Sequence, residues 1–108
     1  MIRELAPAEL SRWRADPGRP APLVVDVREP WELERCALSD SVHVPMHELP
    51  ARLAELPRGR DVVVVCHHGV RSRLAARFLA GAGFDPVWNL AGGVEAWAAD
   101  VDPALTRY

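Results

Sequence analysis

A cysteine stands where an apolar run changes into a polar loop, in the segment VVVVCHHGVRS at residues 62–72. Four valines precede Cys66, and Gly69 and Arg71 follow it closely. A thiolate is a strong nucleophile, and a turn that contains glycine and arginine can gather donors around an anion. Cys66 is therefore the first candidate for covalent chemistry.

The surroundings of Cys66 predict the end of a buried strand and the start of a helix near Arg71 or Ser72. The N–H groups of the turn and of the first helical turn would converge on the sulfur, and Gly69 permits the positive φ that such a turn needs. Their positive potential favours thiolate over thiol. The competing interpretation is a small apolar residue that ends a core strand. The glycine, the arginine and the strand-to-helix setting favour the reactive one.

Strand-like and helix-like segments alternate along the chain. Strands are predicted at 22–27, 41–45, 61–66 and 85–90. Helices are predicted at 6–16, 30–38, 46–56, 72–83 and 92–101. In the helix at 72–83, the apolar side chains predicted to face the core are Leu74, Ala75, Phe78, Leu79 and Ala82. The alternation predicts a parallel sheet covered by helices on both faces.

Composition limits the class of protein. The 108 residues, 49% of them hydrophobic, suffice for one compact domain over 1–108 without a disulfide or a metal. A net charge of -2, from 13 basic and 15 acidic side chains, gives no reason to expect nucleic acid or anionic lipid as a partner. No apolar run approaches the ~20 residues that span a bilayer, and the charged start MIREL is unlike a secretory signal. Cys36 and Cys66 read as free thiols, so we expect a cytoplasmic protein.

Histidines and a cysteine also raise the question of a metal site, from His43, His47, Cys66, His67 and His68. A proline between the first two argues against a helical ligand pair, and the adjacent third and fourth histidines lack the usual ligand spacing. The sequence therefore predicts no metal site.

The motifs resemble those of the rhodanese family of sulfurtransferases. CHHGVRS is similar to that family's active-site loop, commonly C-x-x-G-x-R-S, in which the cysteine carries a persulfide. LVVDVREPWELE at 23–34 resembles the first family signature, SVHVPMHEL at 41–49 the segment after the third strand, and NLAGGVEAW at 89–97 the C-terminal signature. In one departure, Cys36 and Ala37 stand where the family often has glycine and histidine.

The resemblance implies a fold and an activity. The fold is a rhodanese-like three-layer α/β/α arrangement with a mostly parallel, about five-stranded central sheet. The activity is transfer of sulfane sulfur from a donor such as thiosulfate, through a Cys66 persulfide, to a thiol or cyanide, without a metal or organic cofactor. Related phosphatases and arsenate reductases carry C-x5-R, whereas Arg71 lies five residues after Cys66 and position 72 is serine. This shorter loop favours sulfur over phosphate chemistry.

The resemblance also implies roles for individual residues, each with an alternative. The substrate-binding loop would comprise His67, His68, Gly69, Val70, Arg71 and Ser72. Arg71 would hold a sulfonate or, alternatively, form a structural salt bridge. The two histidines contact the donor or face solvent. Asp26 and Arg28 orient the loop or form a structural ion pair.

Two further questions stay open at this point. Cys36 is a core residue or a second, resolving thiol. The sulfurtransferase either serves small molecules or relays persulfide sulfur for a partner protein such as a desulfurase or thioredoxin.

Overall fold

The most apolar segments of the chain form the centre of a sheet. A computed structural model describes residues 1–108. The strands are β1 (Ile2–Leu5), β2 (Leu23–Asp26), β3 (Ser41–His43), β4 (Val62–Val65) and β5 (Val87–Leu90). The helices are α1 (Pro7–Ala15), α2 (Pro30–Arg35), α3 (Val70–Gly81) and α4 (Gly93–Asp100), with two 3-10 helices at Met46–Glu48 and Pro50–Glu55. None of these helices has the length and apolar character needed to cross a membrane.

The sheet has the strand order β1-β5-β4-β2-β3, and all neighbouring strands are parallel. β2 and β4 are buried along their whole length, as expected for β-branched strands covered on both faces. The predicted α/β architecture with a parallel, five-stranded sheet is confirmed.

Side chains of β4 alternate between two apolar layers. Val62 and Val64 join the layer under α3 and the 3-10 helices, whereas Val63 and Val65 join the layer under α1 and α4. This alternation follows from the two-residue period of a strand. Cys66 follows directly after β4, at the carboxyl edge of the sheet, and belongs to the first of these layers.

Three helix boundaries differ from the prediction. The segment at 46–56 forms two short 3-10 helices instead of one helix, since Pro50 has no N–H to continue a helical ladder. The helix predicted at 30–38 ends at Arg35, and Cys36 adopts an extended conformation. α3 begins at Val70, just before the predicted start.

The sequence prediction missed β1. Its residues Ile2–Leu5 include two charged side chains and form an edge strand beside β5. An edge strand tolerates charge because one of its sides faces solvent, so its composition carries little signal.

The predicted buried face of α3 was wrong in part. Leu74 and Phe78 are 53% and 41% exposed. Ala75 and Leu79 are buried as predicted, and Ser72 and Ala76 are buried with them. Small side chains let the helix pack close to the sheet. The helix is therefore rotated about its axis relative to the prediction, and Ser72 points toward Cys66.

Candidate active site

Cys66 lies at the carboxyl end of β4, and the Cys66 loop (residues 66–72) leads from it into α3. Its Sγ accepts hydrogen bonds from the N–H of Gly69 at 3.1 Å and from the N–H of Ser72 at 3.3 Å. The residue is only 1% exposed. The loop therefore places main-chain donors around a single sulfur atom, one from the turn and one from the first turn of α3.

Gly69 makes this turn sterically feasible. Its φ is +93°, in the left-handed region that favours glycine. A Cβ there would lie 3.0 Å from the N of Gly92 and 3.3 Å from the carbonyl oxygen of Leu90. The glycine is thus required both by the backbone conformation and by the approach of the segment that follows β5.

The start of α4 packs directly against the Cys66 loop. The N–H of Val94 donates to the carbonyl of Cys66 at 2.9 Å, and the N–H of Glu95 donates to that of His67 at 3.1 Å. These first-turn N–H groups have no partner within their own helix, so the loop carbonyls satisfy them. A Cβ at Gly93 would lie 2.4 Å from both carbonyl oxygens.

Ser72 and Asn89 form a buried polar pair behind the sulfur. The Oγ of Ser72 lies 3.2 Å from the Sγ of Cys66 and donates its hydrogen to the Oδ1 of Asn89. The Nδ2 of Asn89 donates to the carbonyl of Gly69 at 3.1 Å and to Glu4 at 3.0 Å, which fixes the orientation of its amide. The Ser72 side chain therefore lies directly beside the sulfur and is held there by Asn89.

Sequence reasoning missed Asn89. The signal available was a polar residue inside the predicted strand at 85–90, and this residue is fully buried. A buried amide requires partners, which is why such a residue marks a polar site.

Arg71 is held by a buried carboxylate. Its Nη1 and Nη2 each donate to one oxygen of Glu32, at 2.7 Å in both cases. Glu32 is 3% exposed, and the hydrogen bonds from Arg71 lower its pKa from 4.5 to about 2 despite burial. The same hydrogen bonds raise the pKa of Arg71. Of the two roles considered for Arg71, the structure contains the salt bridge.

Asp26 and Arg28 form a second ion pair, which is fully buried. The Nη2 of Arg28 lies 2.7 Å from the Oδ2 of Asp26 and 2.8 Å from the carbonyl oxygen of Cys36. Burial lowers the pKa of Arg28, but the hydrogen bonds that it donates to Asp26 and Tyr108, with the charge of Asp26, raise it more, so the net shift is upward. Neither side chain forms a hydrogen bond with Cys66. The pair shapes the connection from β2 into α2.

Tyr108 joins the two ion pairs. Its hydroxyl donates to Glu32 at 2.8 Å and accepts from the Nη1 of Arg28 at 2.9 Å. Burial, with the hydrogen bond to Glu32, raises the Tyr108 pKa to about 12. Its ring stacks on His67 at a centroid distance of 3.8 Å, and Trp31 contacts it edge-on. No motif pointed to Tyr108, because it lies far along the chain from every residue it contacts.

The two histidines of the loop stack on each other instead of bonding the sulfur. Their ring centroids are 3.9 Å apart, with His67 between His68 and Tyr108. Burial, followed by the neighbouring charge of His68, lowers the pKa of His67. Its Nε2 is buried without a hydrogen-bond partner. His67 therefore presents a neutral aromatic ring at neutral pH, and His68 is exposed.

The family model of the rhodanese-like domain matches residues 6–100. The chain belongs to the rhodanese-like domain family. It is 40% identical to a sulfurtransferase of Allochromatium vinosum over 98 residues, which cover 91% of this chain and 90% of that protein. It is also 40% identical, over 75 residues, to the thiosulfate sulfurtransferase GlpE of Pseudomonas syringae pv. syringae, covering 69% of this chain and 71% of that protein.

Solved structures agree with this assignment. A rhodanese-related protein from Thermoplasma volcanium matches with a TM-score of 0.82 at 32% identity, over 93% of this chain and 94% of that one. The rhodanese-like chain is a sulfurtransferase, which takes sulfur from a donor and passes it to an acceptor. The predicted family and reaction class are confirmed.

Proposed function

We propose that this rhodanese-like protein transfers sulfane sulfur through a persulfide on Cys66. The Cys66 thiolate attacks the outer sulfur of a donor such as thiosulfate. A new S–S bond forms, the bond to the sulfonate sulfur breaks, and the electron pair leaves with sulfite. A thiolate or cyanide then attacks the outer sulfur of the persulfide and regenerates the Cys66 thiolate. Neither step uses a metal or an organic cofactor.

One observation carries this proposal: the Sγ of Cys66 accepts N–H donors from both Gly69 and Ser72 within a strand-to-helix loop. Fixed main-chain donors stabilise an anion without reorganising, so they favour a thiolate and then a persulfide at this position. The substrate-binding residues of the proposal are those of the loop, His67, His68, Gly69, Val70, Arg71 and Ser72. Asp26, the last residue of β2, and Arg28, just after that strand, have a supporting role in the proposal.

The decisive experiment is intact-mass measurement after incubation with thiosulfate. We expect the unmodified protein to gain one sulfur atom and to lose it again on addition of cyanide. The Cys66→Ser variant should gain none, whereas Cys36→Ser should behave like the unmodified protein. No sulfur gain together with hydrolysis of an aryl phosphate would instead favour a cysteine-dependent phosphatase or arsenate reductase.

Access to the sulfur is a second requirement, since Cys66 is only 1% exposed. Iodoacetamide should alkylate Cys66 in the folded protein, and peptide mass mapping distinguishes it from Cys36, which is 7% exposed. If Cys66 were alkylated only in denaturant, it would be a buried core residue, and the proposal would be wrong.

A second candidate function is a persulfide relay for a partner protein. Three apolar side chains on α3 are exposed and follow one another along the helix from its start at the Cys66 loop, namely Val70, Leu74 and Phe78. Such a patch beside a reactive residue is typical of a protein-docking surface. Both cysteines are free, and we place the protein in the reducing cytoplasm as part of the same proposal.

The relay is tested by comparing two acceptors, reduced thioredoxin and cyanide. If a protein acceptor docks on α3, Leu74→Glu slows sulfur transfer to thioredoxin and leaves transfer to cyanide unchanged. If Leu74→Glu changed neither the rate of transfer to thioredoxin nor the rate of transfer to cyanide, the relay would be excluded and only the small-molecule enzyme would remain.

A further inference from the structure

We propose that Glu32 is a specificity-determining residue that makes this site prefer alkyl persulfides over thiosulfate as sulfur donors. The inference rests on the proposed persulfide chemistry of Cys66 and names the donor class for it. Its basis is that the carboxylate of Glu32 neutralises the positive charge of Arg71 in the Cys66 loop.

The Glu32 carboxylate occupies the face of Arg71 that would bind an anion. Both terminal nitrogens of the guanidinium donate to it in a two-pronged contact, the arrangement that would otherwise hold a sulfonate. The carboxylate receives two more hydrogen bonds, from the hydroxyl of Tyr108 at 2.8 Å and from the N–H of Glu29. Glu32 is thus fully bonded and fixed in place.

The other positive side chains near the loop are also compensated or neutral. Arg28 is paired with Asp26 inside the protein, and Arg73 contacts Glu4 at 3.2 Å. Burial lowers the pKa of His67, which keeps its ring neutral. The groups bonded to the sulfur are the main-chain N–H groups of Gly69 and Ser72 and the Ser72 hydroxyl, and none of these carries a formal charge.

The two donor classes place different demands on such a site. With thiosulfate, the new S–S bond at Cys66 forms as the bond to the sulfonate sulfur breaks, and sulfite leaves with two negative charges. With an alkyl persulfide, the same bond forms and a thiolate leaves with one negative charge. The main-chain donors of Gly69 and Ser72 contact the Sγ of Cys66 itself, so they act on the nucleophile in the same way in both reactions. The two reactions therefore differ in the charge of the leaving group. The site offers no unpaired cation to stabilise the more highly charged sulfite.

The rim of the site suits the organic part of a persulfide. Trp31 is 54% exposed and forms a T-shaped pair with Tyr108, which stacks on His67, the residue that follows Cys66. These rings offer an apolar surface to an alkyl group, whereas a sulfonate beside them would lose hydration without gaining an ionic partner.

The test measures the rate constants for charging Cys66 with thiosulfate and with 2-hydroxyethyl persulfide, whose organic group is uncharged. In Glu32→Gln the pair with Arg71 loses its negative partner, so charging by thiosulfate should rise relative to charging by persulfide by about tenfold, or about 1.4 kcal/mol. A ratio of two rates in one sample is insensitive to the fraction of folded protein. The matched control is Glu55→Gln, which neutralises an exposed partner of Arg52 and should leave the ratio unchanged.

A second measurement needs no variant. If Glu32 occupies Arg71, methanesulfonate should not compete with the persulfide for charging of the unmodified protein. Competition by methanesulfonate, or an unchanged donor ratio in Glu32→Gln, would overturn the selectivity while leaving the proposed function intact. Failure of both donors to charge Cys66 would overturn the proposed function itself.

Discussion

Ser72 connects the sulfur of Cys66 to the buried amide of Asn89. Its hydroxyl supplies a donor to the Oδ1 of Asn89, while its main-chain N–H donates to the sulfur. Removing the hydroxyl leaves a buried acceptor without a partner, which costs more than the hydrogen bond itself contributes. The stability of the loop therefore depends on one side-chain oxygen.

We expect Ser72→Ala to lower the free energy of unfolding by about 1–3 kcal/mol. Urea denaturation measures this loss. Ser11→Ala, at a partly exposed position of α1, is the control and should cost less than about 0.5 kcal/mol. Equal stability of the two variants would show that water or another donor satisfies Asn89.

Asp26 and Arg28 illustrate the cost of burying charge at the residue scale. Both side chains are essentially inaccessible, at 1% and 0%. Asp26→Asn leaves the guanidinium without its counter-charge, so we expect a loss of about 3–5 kcal/mol in thermal or urea unfolding. Glu55→Gln, in the exposed pair with Arg52, should cost at most about 1 kcal/mol. A similar cost for the two variants would contradict this account of the buried pair.

At the scale of elements, the Cys66 loop depends on how α4 begins. The N-terminus of α4 donates two main-chain hydrogen bonds to the loop, and Gly93 permits the contact because it has no side chain. The shape of the loop is thus determined by the neighbouring element as much as by its own residues.

Gly93 and Gly59 allow this contact to be tested apart from backbone strain. Both have positive φ, +62° and +80°, but a Cβ at Gly59 would meet nothing within 4 Å. Gly59→Ala should cost about 1–2 kcal/mol, the penalty of the left-handed conformation. Gly93→Ala should cost more than about 4 kcal/mol, because backbone carbonyls must also move, and it should slow charging of Cys66. Urea unfolding of the two variants measures both losses of stability. Equal losses would contradict the close contact at Gly93.

At the scale of the whole molecule, one polar network ties together distant parts of the chain. Arg71 at the start of α3 contacts Glu32 in α2, 39 positions away, and Tyr108 contacts the same carboxylate across 76 positions. These bonds hold both helices and the segment after α4 at one edge of the sheet. Their strength depends on the charge of Glu32.

This dependence predicts a specific loss of stability in acid. The pKa of Glu32 is about 2 in the folded protein and 4.5 ordinarily, so folding favours its ionised form. The contribution is complete above pH 4.5 and disappears as pH falls toward about 2. Unfolding free energies measured across this range should fall more steeply for the unmodified protein than for Glu32→Gln. Parallel curves would mean that the pair contributes nothing to stability.

The local sequence of this protein determined its central strands, most of its helices and the place of Cys66. Runs of valine specify a buried strand wherever they occur, and the order of such strands and helices indicates a parallel sheet whose carboxyl edge carries the loop. Gly69 could be assigned a positive φ in advance because a tight turn at that position leaves little choice. The charged edge strand β1 carried no comparable signal.

Tertiary structure alone decided what each polar side chain of the site bonds. The sequence left Arg71 between a sulfonate and a salt bridge, and it gave no hint that Glu32, Asn89 or Tyr108 would meet there. Apolar patterns repeat along the chain and can be read locally, whereas the partner of a charged group is chosen by which elements pack together. Small side chains on α3 set its rotation over the sheet, and that rotation places Ser72 beneath the sulfur and leaves Leu74 in solvent.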